Sequence, residues 1–560
     1  MASDEVKLAP VAIVGGGPVG LLLALSLDHY GVGSVLFNTE REVRPHPKGS
    51  THNARTMEHH RRLGIAPKIR ALGLPPDRPT DVSYFTRLNG YELARIRMPS
   101  EAEKQRTVAQ SPPTWQVPEP LLRANQLYVE QFLLEYARSR PNISVRFGWT
   151  VERFQDDEKG VTVHAEAADG KASETPRETW RAQYLVGADG GRSSVRRSLA
   201  LRYHGFAKLD APHYGGRMIA THMRAPTLYR DHLARHHGWQ YWVVNPQVRA
   251  TIITLSGDEE FLIFSKAKDN DAPPTDAEIA QMVQKGIGAE FPLQMLDHRM
   301  WTAGVALVAE RFIAGRIILA GDAAHLFTPT GGFGMNTGMD DASNLAWKLA
   351  AAIQGWGGPN LIQSYETERR PVAERNTNAA RELNKHLANF TMPPTIEDNT
   401  PEGEAARRAV GAHFNSLGEE FASIGVQLGA RYDGSPIIDA DGAPPPDELD
   451  RYIPSGVPGG RAPHYWLGPG RNYGDSLFDQ FGRGFTLLRL GGSATNTNSI
   501  EAAARKRGTP LKMVDLPAAD ARDLYGRDLA LIRPDQYVAW RGNAPPADPD
   551  RLFEHLVGLT

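Results

Sequence analysis

The chain has 560 residues, 41% of them hydrophobic and 23% charged, which is too long for one ordinary core and predicts two or three packed units. Its 63 basic and 65 acidic residues leave a formal net charge of -2, which argues against nucleic acid or an anionic membrane as partner. No cysteine is present, so disulfides, thiolate metal sites and cysteine nucleophiles are excluded.

Met1–Pro10 is polar and charged, without the basic-to-apolar progression of a secretory signal. No run approaches the roughly 20 apolar residues of a membrane span. A soluble, cytoplasmic protein is the expectation. Val11–Val14 is a short apolar β run ended by glycines, Val19–His29 follows a helical apolar pattern, and Ser34–Phe37 reads as a second buried strand. Together they predict one β-α-β unit. Helices are predicted over Asn53–Leu63 and Ala124–Ser139, the latter with Leu127, Phe132, Leu133 and Ala137 on one face. Alternating β patterns follow at Val145–Phe154, Gly160–Glu166 and Ala182–Ala188, with a polar hairpin-like stretch before the last. Val243–Phe264 is strand-rich, Arg316–Leu319 reads as a buried strand, and Asp340–Gln354 reads as a strong helix. From about Thr391 to Gly460, prolines, glycines and acids predict helices joined by irregular connections. Beyond it, β runs at Phe485–Leu490, Leu511–Asp515 and Leu529–Arg533 and helices at Ser499–Arg507 and Asp550–Val557 make a small α/β unit.

Three segments carry chemistry. In Gly15-Gly16-Gly17-Pro18-Val19-Gly20, Gly15 permits a tight turn, Gly17 lets backbone approach a pyrophosphate, and Gly20 lets helix and strand pack closely. The helix N-terminus behind it offers free N–H groups and a positive dipole end, so a dinucleotide site is predicted. The ribose partner expected at the end of the second strand falls on Asn38, which lacks the usual charge. The second segment, Tyr184–Arg196, delivers Asp189 and Gly190 from a strand to a turn. The third delivers Asp322 from Ile317–Ala320, then runs through Pro329, Gly332, Gly334, Met335 and Asn336 to the helix from Asp340. Its glycines expose backbone N–H groups able to hold a ring carbonyl or a developing anion.

Taken together and in this order, the three segments resemble the class A flavin-dependent aromatic hydroxylases, the family of 4-hydroxybenzoate and phenol hydroxylases. The resemblance implies that the glycine turn binds the FAD pyrophosphate. It implies that Asp189 and Gly190 serve both FAD and the reduced nicotinamide, and that Asp322 meets the ribityl and pyrophosphate region. Lys48 stands where an Arg is common, and Arg123, Gln126 and Glu130 match the family's R-x-x-Q-x-x-x-E pattern near the flavin. Tyr365, Glu366, Arg369, Arg370 and Pro371 match the end of the flavin domain. Pro458–Pro463, Gly484–Leu488 and Leu531–Arg541 are similar to the thioredoxin-like domain of the phenol-hydroxylase branch, which without cysteine has a structural or dimerisation role.

The fold implied is α/β: a Rossmann-like FAD-binding domain (1–200 and 301–390), an inserted β-sheet substrate domain (201–300), a helical and irregular connection (391–460) and a thioredoxin-like domain (461–560). FAD is the cofactor implied, NADPH or NADH the transient reductant, O2 and a small phenolic or aromatic acid the substrates, and a homodimer the expected assembly. The family's chemistry runs from hydride reduction of flavin, through a flavin hydroperoxide, to transfer of oxygen onto an electron-rich ring. Ser50 occupies the position of the phenol-hydroxylase Asp, so His52 becomes the candidate base, with an ordinary hydrogen-bonded histidine as the alternative. Tyr214, Arg217, His222, Trp239, Tyr241 and Trp242 suit a flat anionic ligand, and Arg217 and Tyr241 join His52 as catalytic candidates. At strand spacing, such aromatics equally fill a core. No metal site is expected. A Baeyer–Villiger or polyketide-tailoring oxygenase of the same fold, and a non-catalytic flavin-binding protein, are the competing readings.

Overall fold

A computed structural model of the chain describes residues 5–168, 176–207, 216–234, 236–267, 274–388, 391–421, 423–468, 475–492 and 495–560. Tyr214 and most of the polar hairpin expected after Glu166 lie outside the described residues.

Four apolar segments that bury both faces, as parallel strands do, form the heart of a six-stranded sheet. Its order is Ile313–Ala314, Ile317–Leu319, Tyr184–Gly187, Val11–Val14, Ser34–Asn38 and Ile143–Phe147. All neighbours are parallel except the first pair. The Pro18–His29 and Phe333–Ile353 helices pack together over it. The latter begins seven residues before the predicted Asp340, because the glycine run ends at Gly332 in the left-handed region and Phe333 onward is already helical. A 30-residue helix, Pro359–Ala388, follows, its polar face having hidden it from an apolar count.

Two predicted strands are each divided. Gly148, with φ +79°, breaks Val145–Phe154 into Ile143–Phe147 and Trp149–Asp156, and these enter different sheets. Likewise Arg177–Ala182 pairs in a four-stranded sheet, whereas Tyr184–Gly187 sits beside Val11–Val14.

The substrate-side sheet has seven strands, ordered 294–303, 216–224, 260–266, 249–254, 240–244, 82–85 and 92–96. It therefore draws two strands from outside the expected 201–300 segment, because Val82–Phe85 pairs in parallel with Gln240–Val243. Pleating separates its side chains into two cores. Trp242, Val244, Tyr84 and Met218 pack with Met392, Ile396, Val410 and Phe414. Tyr241, Val243, Phe85 and Ile219 pack with Ile279, Val283 and Ile287 on the opposite face.

The C-terminal sheet runs Leu511–Leu516, Phe485–Leu490, Leu529–Ile532, Val538–Gly542, with only the third strand antiparallel to its neighbours. That is the thioredoxin-like order. Phe485 and Leu487 on one face join the core of the flavin domain, next to Trp347 and Trp356. Leu488 and Leu490 on the other face close a local core with Phe478 and Tyr525. No helix among the described residues is long and apolar enough to cross a membrane.

Candidate active site

Parallel pairing aligns three strand ends. Gly187 is in register with both Val14 and Leu319, and each strand then hands its chain to one of the three predicted segments. Gly15, at φ +114°, passes so close to Ala188 and Asp189 that an added Cβ would lie 2.2 Å from the Ala188 carbonyl oxygen. A Cβ at Gly20 would lie 2.0 Å from the Gly15 oxygen. On the far side, Val19 fills the space over Gly321 and Gly338. The three segments meet at one point, outside the carboxyl ends of the strands.

Lys48, Arg123 and Gln126 arrive from the neighbouring loop, strand and helix. Thr51 and Arg123 are antiparallel partners, Arg123 donates to the Thr51 hydroxyl, and a Cβ at Gly332 would touch Thr51 at 3.3 Å. Gln126 donates to Glu130, whose carboxyl is pushed up by burial and drawn back by Lys48. Asp322 is likewise raised by desolvation, opposed by His325 and Lys48, although its side chain still reaches solvent. Lys48 thus acts on both Glu130 and Asp322. Arg123 lays its guanidinium over the Trp239 ring, 3.7 Å from the centroid. This joins the flavin-side strand to the sheet face carrying Trp242, Met218 and His222.

One aspartate and one amide are partly committed within the protein, and a second amide wholly so. Asp189 Oδ2 accepts from Ser194 N, Ser194 Oγ and Val195 N, while its buried Oδ1 has no partner among the described residues. Asn38 Oδ1 accepts from Gly16 N at 3.1 Å and its amide donates to the Glu40 carbonyl. Asn336 spends its whole side chain: it donates to the Thr51 and Gly332 carbonyls and accepts from Asn53 N and Thr56 Oγ1. The Asn336 side chain is thus a structural clamp, which leaves only its backbone for a cofactor.

The structure moves all three catalytic candidates away from this cleft. Along Thr51–His52 the side chains alternate; Thr51 faces Gly332, so His52 faces inward, 5.9 Å ring to ring from His60. Both rings are fully buried; His60 has no partner for either nitrogen among the described residues, and His52 has only a weak approach to the Ala124 backbone. Desolvation lowers the His52 imidazole to about 4. Tyr241 is in the core on the far face of the sheet, its hydroxyl donating to the Gly238 carbonyl at 3.1 Å and pushed up by burial. Arg217 is exposed and shares the strand parity of Ile219, again on that far face.

The His52 environment predicts an acid limb of stability. Between pH 6.5 and about 4 the unfolded chain binds a proton at this position and the folded chain does not, so stability falls as pH drops through that window. At its lower end this histidine costs about 3 kcal/mol. Urea midpoints measured from pH 7 to pH 4.5 should show a shallower loss in His52→Leu; identical slopes would contradict this assignment.

One positioning residue had not been singled out. Asp341 Oδ2, fully buried, accepts from Gly321 N at 3.1 Å and from His325 Nε2 at 2.6 Å, while Oδ1 accepts from Arg369 Nε at 2.8 Å. It pins the turn that presents Asp322. The available signal was two adjacent acids, Asp340 and Asp341, on the buried side of a helix otherwise lined with Ala and Leu.

Residues 8–380 match the FAD binding domain family, and residues 455–558 match the aromatic-ring hydroxylase C-terminal family. The chain belongs to the FAD-dependent aromatic-ring hydroxylases. It is 32% identical to FAD-dependent monooxygenase apdD of Emericella nidulans, over 100% of this chain and 92% of that protein. Phenol 2-monooxygenase of a Pseudomonas strain is 29% identical, over 98% of this chain and 92% of its own length. The solved structure of chromopyrrolic acid-soaked RebC with bound 7-carboxy-K252c superposes with a TM-score of 0.88 at 31% identity, covering 99% of this chain and 100% of that one.

The cleft of this hydroxylase suits FAD on its own evidence. A Cβ at Gly17 would meet nothing within 4 Å, so the turn is open on the side where a pyrophosphate would lie. The Pro18–His29 helix has no side-chain cap, leaving its first N–H groups to an anion. Asp189 Oδ1 and the buried Thr328 hydroxyl lack protein partners among the described residues, as groups awaiting a polyhydroxylated ligand do.

Proposed function

We propose that this enzyme is a single-component monooxygenase that hydroxylates a phenolic ring, using O2 and NADH or NADPH. The observation that carries this reading is the convergence of the three strand ends with Lys48 and Arg123, immediately beside the Trp239 face of the substrate sheet. FAD, when bound, supplies two-electron reduction by nicotinamide and activation of oxygen. The protein's part is placement. Gly15–Gly20 and Asp322 hold the dinucleotide, Asp189 its neighbourhood, and Lys48 the charge balance of the two carboxyls beside it. A single dinucleotide fingerprint leaves the nicotinamide to dock transiently.

Arg123 and Trp239 support a flat, electron-rich substrate. The Trp239 indole N–H is buried and has no partner among the described residues, so it is available to an oxygen substituent on that ring. With His52 turned away, the proton path is best sought in Tyr128–Glu260–His222, where the tyrosine hydroxyl donates to Glu260 at 3.1 Å and His222 Nε2 lies 3.3 Å from the same oxygen. That chain links the Gln126–Arg138 helix to the substrate sheet. The relatives named above favour hydroxylation and give a ring-expanding oxygenation no support.

The test is a screen of phenols, hydroxybenzoates and polycyclic phenols for stimulated NADH and NADPH oxidation, with product masses. A phenol gaining one oxygen atom is expected. Formation of a lactone, or oxidation of nicotinamide that no aromatic compound stimulates, would overturn the reading.

A further inference from the structure

One tight turn of the cysteine-free C-terminal domain reaches into the flavin domain with polar groups. Residues 533–536 join the Leu529–Ile532 and Val538–Gly542 strands, and Arg533, Asp535 and Gln536 are all nearly fully buried. The turn's side chains and two of its carbonyls carry the contacts with the flavin domain. Arg533 donates to both carboxylate oxygens of Glu368, at 2.6 and 2.9 Å, and to Asp535. The Pro534 carbonyl accepts from Arg62 and Tyr30. Arg55 donates to the Asp535 carbonyl at 2.6 Å and to Gln536 Oε1 at 2.8 Å.

Arg55 leads back to the cleft. It lies in the first turn of the Ala54–Arg62 helix and also donates to Glu58, which Arg461 of the C-terminal segment grips with two further bonds. Asn53 caps that helix, and Asn53 N and Thr56 Oγ1 both donate to Asn336 Oδ1. Asn336 in turn holds the carbonyls of Thr51 and Gly332, the two residues in contact at the lip of the flavin site. The path is continuous from turn to cleft.

Burying this many charged groups stabilises less than apolar packing of the same volume; what such networks fix is geometry. A second observation points the same way. Gln536 sits at φ +70°, a conformation unfavourable for a residue with a side chain, which a merely structural turn would give to glycine.

We propose that the Arg533–Gln536 turn is a positioning element for the flavin site, setting Thr51, Gly332 and Asn336 through Arg55 and the Ala54–Arg62 helix. It rests on FAD occupying the cleft described above.

The test uses the full-length protein and Gln536→Gly, which removes the Arg55 contact while relieving the backbone strain. FAD titration of the apoprotein should show a dissociation constant raised about fivefold to tenfold, the partial transmission of one charge-assisted hydrogen bond. The visible flavin band should shift, and the apoprotein thermal midpoint should hold or rise. Arg55→Lys, which keeps the charge but loses the fork, should move FAD affinity in the same direction. Gln536→Glu, which keeps an acceptor at that reach, should restore affinity to within about twofold. Unchanged affinity and an unchanged flavin band in Gln536→Gly would overturn the proposal. So would losses of affinity that merely track losses of thermal midpoint in both variants. Asp322→Ala is the control: if that variant binds FAD normally, the location of the cofactor is wrong, whatever the turn does.

Discussion

Glu368→Ala is expected to lower the stability of the folded enzyme by about 3–5 kcal/mol, the range for stripping one partner from a buried ion pair. Glu368 has no exposed side-chain surface and accepts from Arg533, from Lys348 at 2.6 Å, from Asn344 at 2.7 Å and from Ser435 at 2.6 Å. Desolvation raises its carboxyl, but Arg533 and Lys348 outweigh that and hold it well below the usual range. Without it, Arg533 keeps Asp535 as a partner, whereas Lys348 loses its nearest counter-charge. Burial already lowers the Lys348 ammonium to about 8. In the variant it should deprotonate near neutral pH, which limits the damage and makes the loss larger at pH 6 than at pH 9. Urea denaturation of the full chain at those two values measures both effects. A loss below about 1 kcal/mol, the range of an exposed pair, would show that the network contributes little to stability.

Asp322→Ala should act on the cofactor and spare the fold. The Asp322 carboxylate makes no hydrogen bond to the described residues, and desolvation has already raised its folded pKa above the unfolded value. A carboxyl so raised weakens the folded state as pH rises through the window between the two values. Removing it therefore leaves apoprotein stability at neutral pH unchanged or slightly improved. FAD affinity should fall about tenfold to a hundredfold, the effect of losing charge-assisted hydrogen bonds to ligand hydroxyls. Equilibrium titration with FAD, beside thermal denaturation of the apoprotein, separates the two. Full flavin occupancy in this variant would refute the role given to Asp322.

The flavin cradle was legible because its parts are local. Gly15–Gly20, Asp189-Gly190 and Gly321-Asp322 each follow a short apolar strand, and a glycine at a strand end signals a turn without reference to any distant residue. The resemblance then ordered them into one site. Where the reading failed, the failures have identifiable causes. His52 lies one residue from Thr51, and a period of two sends neighbours to opposite sides. Nothing in the order of residues says which side is the cleft. Tyr241 and Arg217 occupy the correct sheet but the face packed on the Asp276–Ile287 helix, and only the placement of that helix distinguishes the two faces.

By itself, the sequence determined the β-α-β entry, the three loop chemistries, the family and the thioredoxin-like kinship of the last domain. The first two follow from apolar periodicity, glycine placement and acids at strand ends, all within reach of a few residues; the last two follow from the resemblance that those motifs carry. Tertiary structure alone decided which groups are spent and which remain for ligands. Asn336 looks like a cofactor contact until its four bonds are counted, and Asp341, one of two acids on a buried helix face, has no visible task until Gly321 and Arg369 close on it. It alone also joined the C-terminal turn to the cleft, through an Arg55–Gln536 contact spanning 481 residues. Hydrogen bonds over that separation leave no trace in local pattern, because either partner, taken alone, has the composition of an ordinary polar position.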